Sequence, residues 1–107
     1  MREFEELVLL AVMAAGDEAY GVAIQKLLKQ EIGSAPSLGA VYTALDRCAK
    51  KGWVRSEMGE PTPVRGGRRR RHYTVTRAGL AQVREARNVR EALWKRSAPE
   101  SGGGGGG

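Results

Sequence analysis

Apolar residues recur at helical spacing through the first half of the chain. Over residues 2–15 the stripe is Phe4, Leu7, Val8, Ala11 and Ala14, with Glu3, Glu5 and Glu6 at the start, where a helix dipole favours carboxylates. Gly16-Asp17 breaks this first helix. Over residues 20–32 the stripe is Tyr20, Ile24, Leu27, Leu28 and Ile32, with Lys26, Lys29 and Gln30 off it, and Gly33 is the expected stop. Ser37, following Pro36, is the expected N-cap of a third helix. Its apolar series is Leu38, Val41, Tyr42, Leu45, Cys48 and Ala49, and Gly52 closes it. Gly39, Ala40, Thr43, Arg47 and Lys50 fall on the other side, small toward the start and basic toward the end.

The pattern then changes period. Trp53 to Met58 alternates as a half-buried strand does, residues 59–67 are rich in turn formers, and a second strand returns over roughly Arg69 to Val75 with Tyr73 and Val75 facing inward. Thr76 can cap a last helix from Arg77 to about Ser97, whose apolar side is Leu80, Val83, Ala86, Val89 and Leu93. The expected fold is mainly α with a small β-hairpin: a winged helix-turn-helix followed by a C-terminal dimerisation helix. Residues 1–76 would form the DNA-binding domain, 77–97 the dimerisation helix, and 98–107 a flexible glycine-rich tail. A helix of 21 residues spans about 30 Å, more than so small a domain can cover alone, so pairing through it makes physical sense.

Charge narrows the partner. The chain has 107 residues and a net charge of +6, yet residues 1–46 balance at −4 and residues 47–107 at +10. So polarised a field favours a large anionic partner on one side, with nucleic acid ahead of an anionic membrane. The arginines sit in a predicted hairpin instead of on an amphipathic helix with exposed aromatics, which argues against membrane attachment. The apolar run Leu7–Ala15 is too short to span a bilayer, and acidic residues stand where a signal peptide carries cations. With Cys48 as its only cysteine the chain cannot form an internal disulfide, so a reducing, cytoplasmic setting is expected.

Two segments carry candidate chemistry. In a helix-turn-helix the second helix reads the major groove, so Ser37, Gly39, Ala40 and Thr43 would let the backbone approach bases while Arg47, Lys50 and Lys51 hold phosphates. The plainer alternative is a solvated helix surface. Arg65-Gly-Gly-Arg-Arg-Arg-Arg-His72 puts five arginines within seven residues at the hairpin. Arg65, Arg68, Arg69, Arg70 and Arg71 suit phosphates and a narrow minor groove, and His72 would supplement them. The alternative there is a basic patch that holds any polyanion, RNA included.

No catalytic constellation, metal site or cofactor motif is evident. His72 is the only histidine, Cys48 lies on an apolar stripe, and the early glutamates read as helix-start charges. Leu80, Val83, Val89, Leu93 and Trp94 are the candidates for dimerisation, with Trp94 as an anchor or the lining of a ligand pocket.

Several segments in order resemble the PadR-like transcriptional regulators: Leu9-Leu10-Ala11, Ala19 to Ile24, Ser37 to Leu45, Lys51-Gly52-Trp53-Val54, and Arg68–Arg71 leading to Tyr73 through Gly79. The resemblance covers roughly residues 5–83. It implies a dimeric, repressor-like protein on an inverted-repeat double-stranded DNA operator, with the third helix in the major groove and the wing beside it. It also implies that Tyr42 contacts the DNA backbone instead of being wholly buried. Dimerisation would use the C-terminal helix with help from the first helix, hence Phe4, and a small, flat hydrophobic effector could stack near Trp94. Thr43 replaces the proline common after the tyrosine, Asp46-Arg47-Cys48 departs from the usual Arg-Leu-Glu, and the single last helix matches the family's compact branch. The competing reading is a basic winged module that binds RNA or a protein partner without an operator.

Overall fold

The computed structural model describes residues 1–59 and 70–97. Arg65, Arg68, Arg69 and the glycine-rich tail lie outside the described residues. The element order is α1 (Glu3–Ala15), a short 3₁₀ turn (Gly16–Glu18), α2 (Gly21–Ile32), α3 (Leu38–Lys50), β1 (Val54–Met58), β2 (Arg71–Val75) and α4 (Arg77–Ser97). This is the mainly helical fold with one two-stranded antiparallel hairpin that the sequence predicts.

The helix ends follow local chemistry. Ser37 Oγ accepts the Ala40 N–H at 3.0 Å, so the third helix starts on its predicted cap. Gly33 and Gly52 take φ of 88° and 79°, the left-handed region that halts a helix without a Cβ penalty. Between α2 and α3, Gln25 Nε2 donates to the Pro36 carbonyl at 2.9 Å and fixes the turn of the helix pair.

The core sits where α1, α2, α3 and the hairpin meet. Val8, Leu9, Val12, Ile24, Val41 and Leu45 are buried there with Cys48 and Tyr73. Helix α1 is the central element, and its buried side differs from the expected stripe. Leu9 and Val12 are inside, Ala14 is exposed, and Phe4 and Leu7 are only partly covered. Three further positions counted as core are exposed: Ile32 at the end of α2, and Tyr42 and Ala49 on α3, whereas Ala44 is buried. On α3 the true apolar face is therefore centred on Val41, Ala44, Leu45 and Cys48.

Glu5 and Glu6 are the larger correction. Glu5 is 1 % exposed and accepts from the Arg2 N–H at 3.2 Å and from Lys51 Nζ at 3.1 Å. Glu6, also buried, is bonded to Arg90 of α4, with Nη2 at 2.8 Å. These carboxylates do more than complement a dipole: each ties α1 to a later part of the chain. Burial by itself would raise the Glu5 carboxyl, but the Arg2 N–H and the Lys51 ammonium outweigh it and hold it below its ordinary value.

The hairpin pairs Val54 with Val75, Ser56 with Tyr73 and Met58 with Arg71. Its second strand also bonds to the segment before α2: the Tyr73 N–H donates to the Ala19 carbonyl at 2.9 Å, and Tyr20 and His72 form an isolated bridge. At the other end, Thr76 Oγ1 donates to the Gly52 carbonyl at 2.6 Å and accepts the Gly79 N–H at 3.0 Å, capping α4 as predicted. The Thr76 N–H donates to the Trp53 carbonyl at 2.9 Å.

Gly79 lies against that carbonyl. A Cβ there would collide with the Trp53 carbonyl group and stand 3.0 Å from Val75 Cγ1. Gly79→Ala should therefore cost about 2 kcal/mol or more of unfolding free energy in urea titration, because backbone cannot swing aside. A cost below about 0.5 kcal/mol would mean that the junction opens easily.

A second expectation concerns acid. A carboxyl held below its ordinary value in the fold stabilises it fully above the unfolded value of about 4.5, and that contribution is lost as pH falls through the folded value. Glu5→Gln should be less stable than the parent at neutral pH, since Lys51 loses its partner, and should lose less on acidification. Equal acid sensitivity in urea titrations of the two proteins would show that other carboxylates set the slope.

Candidate nucleic-acid interface

The outer side of α3 is exposed along its length. Ser37, Gly39, Ala40, Thr43, Arg47 and Lys50 are all solvent-accessible, and no side chain from the body of the protein crowds Gly39, whose nearest approach is Ser37 Oγ at 4.0 Å from an added Cβ. The start of this surface is thus bare backbone and small side chains, and its end is cationic.

Tyr42 belongs to this surface and not to the core. It is 38 % exposed, and its ring lies across the first turn of α2, against Gly21. A side chain at Gly21 would meet the ring, with an added Cβ only 2.7 Å from Tyr42 Cε1. Helical spacing alone placed Tyr42 inside. The resemblance to PadR-like proteins, which keeps it outward, anticipated the observed position.

Between the start of α2, the middle of α3 and the root of the hairpin runs an open cleft of about 890 Å³. Tyr42 and Asp46 of α3 line one wall, Lys26 of α2 and Tyr20 just before it another, and Arg70 and Arg71 the hairpin side. Tyr73 is also part of the lining, and burial, together with neighbouring Tyr42, pushes its hydroxyl above the ordinary value. The hydroxyl stays protonated at neutral pH.

At the hairpin root Arg70 and Arg71 are exposed. The Arg71 guanidinium donates to Ser56 Oγ at 3.0 Å across the ladder, and the Arg70 guanidinium lies 4.1 Å from the Tyr20 ring centroid. His72 is placed differently from its two neighbours. It is half-buried, its Nε2 is 3.1 Å from the Gly16 carbonyl and so donates to it, and its ring meets Tyr20 edge-on at 5.3 Å between centroids. Both partners lie near the surface, Gly16 exposed and Tyr20 half-buried.

Lys51, considered from the sequence with the phosphate-holding cations of α3, instead points at Glu5 and covers the Trp53 ring at 4.8 Å. Cys48 is fully buried; burial first, and then the Glu5 carboxylate, push its thiol up to about 11. It is a core residue with no thiolate at neutral pH.

The dimerisation candidates separate into two groups along α4 and α1. Val83 is buried in the core of its own domain, and Phe4 is half-buried against that core; Leu80 is likewise half-buried. Val89, Leu93 and Trp94 form an exposed apolar run, with Leu93 and Trp94 61 % and 62 % accessible.

Sequence reasoning missed Tyr20, Lys26 and the carboxylates Glu5 and Glu6 as positioned groups. Tyr20 carried the one available signal, an aromatic residue just ahead of Gly21 at a helix start.

Among the described residues no group of His, Cys, Asp and Glu could hold a metal ion, and no helix is long and apolar enough to cross a membrane. No curated protein sequence matches this one.

The fold has close counterparts. A PadR-like transcription factor from Bacteroides fragilis superposes with a TM-score of 0.73 at 23 % identity, covering 88 % of this chain and 85 % of that one. A transcriptional regulator from Clostridium thermocellum gives 0.69 at 21 %, over 90 % and 89 %. A PadR-like transcriptional regulator from Bacillus cereus gives 0.67 at 22 %, over 91 % and 93 %. At such identities the likeness establishes the winged helix-turn-helix fold. Residues 9–85, from the middle of α1 to the first half of α4, match the PadR-like family of transcriptional regulators as a sequence pattern, so the chain belongs to that family of regulators and not to the enzymes.

Proposed function

We propose that this protein is a sequence-specific double-stranded DNA-binding repressor that works as a homodimer in the cytoplasm. The observation that carries the reading is that α3 and the root of the arginine-bearing hairpin open onto one cleft, so that Tyr42 of α3 and Arg70 and Arg71 of the hairpin face the same space. A helix laid in the major groove would then bring the hairpin onto the adjoining backbone.

In this reading Ser37, Gly39, Ala40 and Thr43 approach base edges, and Tyr42, Arg47 and Lys50 hold phosphates. Arg65 and Arg68 to Arg71 extend those phosphate contacts along the duplex. His72, bonded to the Gly16 carbonyl, steadies the hairpin root beside those contacts. Residues 1–76 form the DNA-binding unit, and 77–97 the dimerisation helix. Val89, Leu93 and Trp94 pair with a second copy, because among the described residues nothing covers this exposed apolar run on a helix. Repression follows from occupancy: a dimer seated on an inverted repeat excludes other proteins from that stretch of duplex.

Selection from random double-stranded DNA at near-physiological salt is the direct test. An enriched inverted repeat is expected, with half-sites about one helical turn apart. A pool that stays random, or equal affinity for RNA, would favour a general polyanion-binding module.

Gly39→Ala separates folding from recognition. It should leave stability unchanged or raise it by up to about 1 kcal/mol, since alanine favours a helix and open space surrounds the position. It should nonetheless weaken binding to the selected site, because a methyl group enters the approach of backbone to bases. Unchanged affinity would move base reading off the first turn of α3.

Leu93→Glu with Trp94→Glu should shift the protein to monomer in sedimentation while leaving the fold intact. A dimer that persists would put the interface elsewhere.

A further inference from the structure

The hairpin root is held at one residue of the helix pair. Tyr20 directly precedes α2 and has the extended backbone of its N-cap position. Ala19 and Tyr20 also pair with β2 at one point, through the Tyr73 N–H to the Ala19 carbonyl and the isolated Tyr20–His72 bridge. The Tyr20 ring carries two further contacts, the Arg70 guanidinium at 4.1 Å from its centroid and the His72 ring edge-on. Arg70 is fixed from behind as well, since its carbonyl accepts the Gly59 N–H at 2.8 Å. Among the described residues Arg70 forms no ion pair, although Glu18 and Asp46 line the same cleft.

We propose that Tyr20 is a positioning residue for DNA binding: its ring holds Arg70 of the hairpin root beside Tyr42 of α3, with the charge directed to a phosphate of the duplex and not to the carboxylates of the cleft. This rests on the DNA-binding reading above and adds to it a coupling between the hairpin and the helix pair. A planar guanidinium stacked on a ring gives up little of its charge, so its forked N–H groups remain able to donate to a phosphate. Without the ring, the same arginine is drawn to Glu18 or Asp46, and one phosphate contact is neutralised from within.

The experiment measures duplex affinity against salt concentration for the parent, Tyr20→Phe, Tyr20→Leu, Arg70→Ala and the Tyr20→Leu/Arg70→Ala double variant. The probe is a duplex carrying the selected site, or a mixed-sequence duplex if none is enriched. Active fraction is fixed by stoichiometric titration, and thermal unfolding is recorded for each protein.

Arg70→Ala should weaken binding about three- to tenfold and lower the magnitude of the log–log salt slope by about one. Tyr20→Leu should reproduce most of both effects, Tyr20→Phe should keep the parent's values, and the double variant should be no weaker than Arg70→Ala alone. A residue needed only for folding would lower the melting temperature and the active fraction but leave the salt slope of the active protein unchanged.

Additive losses in the double variant, a parental slope in Tyr20→Leu, or parental binding by Arg70→Ala would each overturn the coupling while leaving DNA binding in place. A parent protein that binds neither duplex would overturn the DNA-binding reading, and this proposal with it.

Discussion

One threonine joins the end of α3, the hairpin and the start of the last helix. Thr76 reaches back with its hydroxyl to the Gly52 carbonyl and with its N–H to the Trp53 carbonyl, and its oxygen also caps α4. Gly52 and Trp53 are the turn that leaves α3, and Trp53 is itself bonded to Cys48. The exit of one helix and the entry of another are therefore stitched within a few ångströms, and Gly79 permits the close approach. The hairpin is thus tied to the end of α3 by this junction on one side and to the segment before α2 by the Tyr73–Ala19 bond and the Tyr20–His72 bridge on the other.

The same economy appears in the charges. The first part of the chain is acidic and the remainder basic, which from composition alone looks like a simple division between two faces. In the fold, two of the early carboxylates turn inward and take a cation each from the basic part: Lys51 goes to Glu5 and Arg90 to Glu6. Both cations stay exposed, but their charge is already paired. Among the described residues, the exposed cations of α3 and the hairpin that form no ion pair are Arg47, Lys50, Arg55, Arg70 and Arg71.

Much of the fold was legible because short-range chemistry decides it. Ser37 capped its helix, Gly33 and Gly52 took the left-handed conformations expected of them, and Thr76 opened α4, all from interactions within a few residues. The face of a helix was harder to place. In α1, apolar residues on nearly every side satisfied more than one stripe, and only packing against α2, α3 and the hairpin selected Leu9 and Val12 over Ala14. Tyr42 fits a helical stripe in spacing, yet the bare backbone at Gly21 gives its ring a seat on the surface. Glu5 and Glu6 were unreadable as buried partners because Lys51 and Arg90 lie 46 and 84 residues away. The isolated bridge at Tyr20 involves a single residue and so has no period to detect. For the site, the outer side of α3 and the basic hairpin were visible as composition, whereas their convergence on one cleft, and the contact of His72 with Gly16, exist only in three dimensions.

The deep placement of Cys48 has a practical side. Its thiol is sealed in the core and protonated at neutral pH, so little reaction with maleimides and similar reagents is expected of the folded protein. A cysteine introduced on an exposed helix face would then be the sole reactive handle, with no need to disturb the interior by replacing the native one. Spin labels or fluorophores placed that way would report whether two copies associate and whether α3 comes close to a DNA duplex.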